Sequence, residues 1–502
     1  MNYSYLFSKN DAISYAILAS FNAETSRTIS KEAIGTANDL TNYQLNKFFV
    51  VINADLMQVS GDQPCYLEEV KTGAWTAFNL ETTTLQKIAL LYLNRSSLYT
   101  ALVYRFFYDN LYTKREYIVA NYMSSSAFYR SLDQLEVVLK KNHFYTSSTL
   151  FKDKEFTIRL HLFQLYYTMY NTLTPPFESL NDLISNLINT IQPHLPTDLR
   201  PTEVTKLATF LRIWILRLFN HHEIKKHLFK EIEPDQIGEQ LYDLLAQQLA
   251  PEIKLSRNEF NYLYMFLITQ GYLGEQVQTT TAKAFPTVVT LSNQFMRSIL
   301  SENVLVNTQL INGDALWQQL LCIHLQLTSF YIEPTTFIRP KQMHFFADLY
   351  PAFDLTVNRM LVTLQRQSTF HLTKNMAVNL YFSYMFALVN AIPPELMRDQ
   401  VHICVDFSQG ALYTNYVIES LNSFSHAHIV IDRQLREETD IYISDFQSPE
   451  IVQPQIIWQD PPTSSDWSHL ADVILQTKHN KLHELFPDHK PLMKDGGSHE
   501  ES

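Results

Sequence analysis

The sequence predicts a mostly α, multidomain protein that closes in a small α/β module, and three observations carry that prediction. A chain of 502 residues is too long for one core. Glycine is scarce, at 10 residues, which leaves little material for tight turns or a Gly-rich phosphate loop. Apolar residues recur at helical spacing through the first four fifths of the chain, after which strand and helix patterns alternate.

Composition narrows the functional class. Hydrophobic residues make up 46% and aromatics 13%, enough for several cores. Cys65, Cys322 and Cys404 lie far apart without metal-ligand spacing, as expected of reduced, buried thiols. No basic stretch followed by a short apolar run opens the sequence, and Leu207 to Phe219, the most apolar helix pattern, is cut by Arg212 and Arg217. Nothing reaches the ~18 apolar residues of a membrane span, so the expected location is the cytoplasm. Net charge is −12, but residues 1–160 hold 16 Lys/Arg against 15 Asp/Glu. Contact with nucleic acid therefore belongs to the first third, and affinity would need a dimer or several contacts.

Two segments of that third are alike. Lys31 to Lys47 and Lys114 to Arg130 each read as helix, tight turn, helix, and with Lys31 set against Lys114 their apolar positions coincide. Leu40, Leu45, Phe49, Ile52 and Leu56 meet Met123, Phe128, Leu132, Leu135 and Leu139, one buried stripe of helical period. Thr41 and Ser124 stand where the second helix of each pair needs an N-cap. Ala37 and Ala120 coincide, and a small residue there is expected to let the helices cross closely. Opposite the stripe, Asn42, Tyr43, Gln44, Asn46 and Lys47 in one pair, and Ser125, Ser126, Tyr129 and Arg130 in the other, offer hydroxyls, amides and a cation suited to a major groove. Each pair is followed by a β-prone stretch, Met57 to Phe78 and Phe144 to Ile158, expected to form a wing. Asp153-Lys154-Glu155 would turn the second wing, with Lys140, Lys141, Lys152 and Lys154 as phosphate contacts. Ordinary amphipathic hairpins with solubilising lysines are the alternative.

The string Asn121-Tyr-Met-Ser-Ser-Ser-Ala-Phe-Tyr-Arg-Ser-Leu132, then Lys152-Asp-Lys-Glu-Phe-Thr-Ile-Arg159 and Leu160-His-Leu-Phe-Gln-Leu-Tyr-Tyr167, resembles the Mga/AtxA family of transcription regulators of Gram-positive bacteria. The resemblance implies winged helix-turn-helix units at 1–78 and 79–168, helical phosphotransferase-system regulation domains at 169–284 and 285–396, an enzyme IIB-like α/β domain at 397–488, and a disordered tail at 489–502. Pro175-Pro176 and Pro393-Pro394 punctuate the helical middle, and the turn-prone Thr279 to Pro286 divides it.

Regulation domains of this kind carry phosphorylatable histidines. The family tends to have an Arg…Gly-His string where this chain has Arg217-Leu-Phe-Asn-His221-His222, so His221 occupies the glycine position and both histidines are candidates. In the second block His324, His344 and His371, which precedes Leu-Thr-Lys-Asn, are further candidates, and packing or capping is the alternative for each. A phosphate would add about two negative charges to an interface.

From Val401 onward, strands at Val401–Phe407, Ala427–Asp432, Asp440–Asp445 and Gln455–Trp458 alternate with helices at Ala411–Ser423 and Trp467–Lys478, implying a small parallel sheet. In enzyme IIB-type domains a cysteine three residues before the first-loop glycine carries phosphate. Counting back from Gly410 gives Phe407, and Cys404 lies too far upstream, so no phosphate transfer is expected there; the resemblance implies a dimerisation surface. The expectation is a homodimeric regulator of double-stranded DNA, tuned by phosphocarrier proteins, with no enzyme activity, cofactor, metal or membrane partner. A phosphotransferase component, an RNA-binding antiterminator with paired regulation domains and a helical scaffold are its rivals.

Overall fold

The computed structural model describes residues 3–147, 149, 151–170, 173–224, 228–229, 232–301, 305, 311–334, 341–366, 372–393, 396–422 and 429–486. The protein is mostly helical, with a small parallel sheet near its C-terminus. It divides into two compact units, Met1–Glu275 and Gln276–Ser502. The first runs on past Pro175-Pro176.

The first unit opens with α1 (Lys9–Ala23), β1 (Thr28–Ser30), α2 (Lys31–Asn38), α3 (Asn42–Val59), β2 (Tyr66–Lys71) and β3 (Ala74–Phe78). The β-prone stretch after α3 is a hairpin turned at Gly73 (φ +77°), and β1 joins it in the antiparallel order β1-β3-β2. Asn53 pins the hairpin to α3. Its Nδ2 donates to the Leu67 carbonyl (2.9 Å), and its Oδ1 accepts from the Leu67 amide (2.7 Å). Phe49 stacks on Trp75 at 3.9 Å. Beyond α4 (Thr82–Asn94), Arg95 donates to both carboxylates that face it, Asp11 of α1 and Asp55 of α3, so one guanidinium ties three helices.

Next come α5 (Ser97–Val103), a π-helical turn (Tyr104–Tyr108), α6 (Lys114–Ala120) and α7 (Ser125–Lys141). The expected wing after α7 is absent: among the described residues from 142 to 153 there is no strand, and α8 (Lys154–Tyr170) begins where the wing turn was expected. Asp153 caps α8, accepting from the Phe156 amide (3.0 Å), and Phe151 and Phe156 pack on Phe229. Helix α8 is buried on nearly every side, so its sequence lacks the polar face that marks a surface helix.

Helices α9 (Asn181–Ile191), α10 (Pro201–Phe219), α11 (Gln236–Leu249) and α12 (Arg257–Thr269) complete the unit around α8. Inside lies a buried ionic network. Arg159 of α8 donates to Glu155 (2.9 Å), to both oxygens of Glu259 (2.6 and 3.0 Å) and to the His222 carbonyl (2.6 Å). Arg217 of α10 forks onto Glu155 (2.8 and 2.6 Å) and donates to the Phe106 carbonyl. Glu259 also accepts from Trp214 Nε1 (2.9 Å) and the Ile224 amide (2.6 Å). Two cations meet two anions with nearly every polar atom bonded, the condition under which buried charge is tolerated.

The second unit holds α13 (Glu275–Lys283), α14 (Pro286–Ser301), α15 (Gly313–Thr328), α16 (Lys341–Leu349), α17 (Pro351–Arg366) and α18 (Lys374–Ala391). The turn expected from Thr279 is helical as far as Lys283, because burial of Gln278, Thr279 and Ala282 outweighs the weak helix propensity of the threonines. The C-terminal pattern holds closely: β4 (Val401–Asp406), α19 (Ala411–Asn422), β5 (Ile429–Asp432), β6 (Ile441–Ser444), β7 (Gln455–Ile457) and α20 (Ser464–Leu485). All three strand pairs are parallel, in the order β5-β4-β6-β7, and Val401, Ile403, Val405, Ile441 and Ile443 form the core with Trp458, Leu470 and Ile474.

Replacing Glu259 by Ala leaves the buried Arg159 guanidinium with the His222 carbonyl and with Glu155, which it shares with Arg217. We expect urea unfolding of the full chain to show a loss of about 3–5 kcal/mol in the first unit, against under about 1 kcal/mol for Glu239→Ala at the surface.

Candidate nucleic-acid interface

The two helix pairs share their turn, bond for bond. In the first, the Asp39 amide donates to Thr36 O (3.4 Å) and the Leu40 amide to Gly35 O (2.9 Å). In the second, Tyr122 donates to Val119 O (3.2 Å) and Met123 to Ile118 O (3.1 Å), the same atoms at the aligned positions. Asp39 and Tyr122 both sit at φ +52°, closing α2 and α6 with left-handed residues that reverse the chain. Thr41 and Ser124 then cap α3 and α7, accepting from the Gln44 and Ala127 amides. Leu45, Phe49, Ile52 and Leu56 are buried, as are Phe128, Leu135 and Leu139.

One expectation for these pairs fails. Ala37 and Ala120 are exposed and do not mediate the helix crossing. Gly35 does so in the first pair, where a Cβ would lie 3.0 Å from Leu40 O and 3.3 Å from Leu45 Cδ1. The residue aligned with Gly35 is Ile118, buried against Tyr104, Tyr117 and Phe128, so the second pair is spaced by a larger contact. An Ala on the outer edge of a helix looks the same in sequence as one on its inner edge.

The polar faces are where the pattern placed them. Asn42, Tyr43, Gln44, Asn46 and Lys47 of α3 are exposed, as are Ser125, Ser126, Tyr129, Arg130, Lys140 and Lys141 of α7. Gln44 is partly committed, since its Oε1 accepts from the Thr41 amide (2.9 Å) in a capping box. Lys47 lies 4.4 Å from the Tyr43 ring and Lys114 5.1 Å from the Tyr129 ring, so each pair presents a tyrosine with an ammonium over it. Farther along, the outer face of α3 turns apolar at Val50 and Met57, which the sequence reading passed over. Lys152 is exposed too, whereas Lys140 and Lys154 line a cleft of about 590 Å³ that contains Asp109, Glu136 and Glu155.

That cleft also receives His221 and His222. After α10 the His221 amide donates to Leu218 O and the His222 amide to Arg217 O, both at 2.9 Å, with His221 in the left-handed region at φ +57°. This is a helix C-terminus of the kind glycine favours, and His221 is the position where the resemblance places a glycine. His221 points to solvent; His222 is half-buried, its Nε2 3.2 Å from Asp109 Oδ1. Asn220 donates to the same Asp109 oxygen (2.7 Å), and Asp109 pairs with Arg105 (3.0 Å), which reaches Glu136 of α7 at 3.7 Å. Burial alone would raise the Asp109 carboxyl, but the His222 and Asn220 hydrogen bonds and the positive charge of Arg105 outweigh it and hold it below the usual carboxylate range.

The remaining histidines differ. His324 is fully buried, with Nδ1 2.8 Å from Ser292 Oγ and Nε2 2.9 Å from the Tyr384 hydroxyl. Burial lowers its pKa to about 3, and neither ring nitrogen can receive a phosphoryl group in this arrangement. His344 is exposed on α16, and His371 lies outside the described residues.

In the C-terminal sheet Phe407 is buried, edge-on to Tyr413 and stacked on Trp458. Cys404 is buried within β4, and burial and the nearby Asp406 and Asp432 push its thiol up to about 11. The loop amide of Ser408 donates to Asp445 (3.0 Å), so a carboxylate of the protein itself takes up that N–H. On α19, Leu412 and Tyr416 are exposed. Among the described residues no group of His, Cys, Asp and Glu side chains could hold a metal ion, and no helix is long and apolar enough to cross a membrane.

No protein-family model matches the chain, and no curated protein matches it.

Because Asp109 is held below its unfolded value, near 4, its contribution to stability is full above that pH and is lost as pH falls through the folded value. The stability gap between wild type and Asp109→Asn, followed by urea unfolding, is therefore expected to be widest near pH 7 and to narrow steadily below about pH 4.

Proposed function

We propose that the protein is a DNA-binding transcription regulator of the Mga/AtxA type, and not an enzyme. The observation that carries this reading is the repeated turn: two helix pairs with the same left-handed closing residue, the same capped second helix and the same polar outer face at aligned positions. Helices α3 and α7 act as recognition helices of two helix-turn-helix units. The first is a winged unit whose hairpin is β2-β3; the second has no wing of strands among the described residues. Lys47 and Arg130 occupy equivalent positions and contact phosphates or base edges, with Tyr43, Asn46, Ser125, Ser126 and Tyr129 beside them.

The helical middle acts as the sensor, and His222 is its phosphoacceptor. Asp109 holds Nε2 as the protonated nitrogen, which leaves the lone pair on Nδ1 to attack the phosphohistidine of a sugar phosphotransferase-system carrier. The carrier's N–P bond breaks as the new one forms. Added negative charge beside Asp109 pulls on Arg105, and Arg105 bears on Glu136 of α7, so the modification reaches a recognition helix through ion pairs. The C-terminal module, an enzyme IIB-like fold without its nucleophile, holds two copies together. The buried Phe407 and the Asp445 carboxylate weigh against phosphotransfer there.

Mobility shifts with promoter and random duplexes at two salt concentrations test the DNA reading. Lys47→Ala and Arg130→Ala should each weaken binding and lower the salt slope by about one. An absence of binding at low salt would overturn it. Incubation with the phosphorylated carriers should place acid-labile phosphate on His222 and leave His222→Ala unlabelled; equal labelling of both would remove His222 from the sensor.

A further inference from the structure

A second cavity, of about 720 Å³, opens against α6, within the size range of small-molecule sites. Its walls are unusually aromatic: Tyr99, Tyr108, Tyr112, Tyr117 and Phe177 all line it. No Lys or Arg is among its lining residues, and Glu116 is the one ionised group there. Glu116 Oε2 accepts from the Thr113 amide and hydroxyl (2.8 Å each), which holds the carboxyl below its usual range and keeps it charged at neutral pH. Its other oxygen has no hydrogen bond among the described residues.

The walls are held in uncommon backbone. Phe177 sits at φ +58°, a left-handed conformation that a bulky residue rarely adopts, and Tyr108 ends the π-helical turn. Such outliers persist only where the surroundings over-determine them, and they cluster at binding sites. The rings are also fixed in place. Tyr99 bonds through its hydroxyl to those of Tyr166 (3.1 Å) and Tyr170 (2.8 Å), and the Tyr117 hydroxyl donates to Thr100 O (3.1 Å). With its rings held in place and no cation in its lining, this open hollow favours a positive charge over an anion, by the ring quadrupoles first and by the exposed, solvent-screened Glu116 carboxylate second.

We infer that this cavity is a binding site for a small organic cation, an amine or quaternary ammonium carried on an apolar body. The site does not depend on the DNA-binding reading, although α6 supplies Glu116 and Tyr117 and is the first helix of the second pair.

Calorimetric titration of the full chain with benzyltrimethylammonium, benzyl alcohol and benzoate tests it. The cation should bind with a Kd on the order of 1 mM or tighter, benzyl alcohol at least about tenfold more weakly, and benzoate not measurably. Tyr112→Ala at the half-exposed mouth and Glu116→Gln, which keeps a capping acceptor, should each weaken the cation about tenfold with helical circular dichroism unchanged. Glu252→Gln, at an exposed carboxylate outside the cavity, should bind as wild type. Equal binding of cation and benzyl alcohol, binding of benzoate, no heat with any probe, or unchanged affinity in both variants would overturn the assignment.

Discussion

The first unit depends on the ion pair between Arg159 and Glu259. Both side chains are buried, and between them they reach α8, α10 through Trp214, α12, and the backbone of His222 and Ile224. Through Glu155 the network takes in Arg217 and the π-helical turn that precedes α6. A buried pair of this kind adds little stability over apolar packing, but losing one partner is costly, so it fixes arrangement more than it adds strength. What it fixes is the position of the His221–His222 turn against the loop before α6. His222 and the second helix pair therefore share one foundation.

How far this was legible in the sequence varies by element. The helix pairs were legible because their stripes repeat and because Thr41 and Ser124 are strong caps. The parallel sheet was legible because its strands are short apolar runs bounded by turn residues. The second wing was misread: only Lys154 to Ile158 of that stretch is helical, and its Phe156, Thr157 and Ile158 are β-prone residues that burial holds in the first turns of α8. The helix crossing was misassigned to Ala37 because spacing does not say which side of a short helix faces inward. The ionic network was out of reach, since its four charges come from three helices far apart in the chain, and only folding places Glu155 beside Arg217 and Glu259 beside Arg159.

His221 and His222 are adjacent in sequence but differ in their surroundings. In sequence His222 stood at the histidine of the family's string and His221 at its glycine, which left the receiving histidine ambiguous. The left-handed turn gives His221 the conformational role of a glycine and sends it to solvent, while His222 turns inward to Asp109. His324 stands at the other extreme, neutral and locked between two hydroxyls. The same residue type thus serves as a helix terminator, a charge-coupled group and a core polar pair, and environment alone separates the three.

If α3 and α7 both act as recognition helices, as proposed, each lies against the duplex when the protein is bound. The most direct measurement of this is directed cleavage from an iron chelate attached to a cysteine placed at Asn46 in α3 or at Ser126 in α7, with a bound promoter duplex end-labelled on each strand. The account predicts two separate clusters of backbone cuts, one from each position, both above the background of free chelate. Cleavage from one position only, or from neither, with the protein bound, would contradict it.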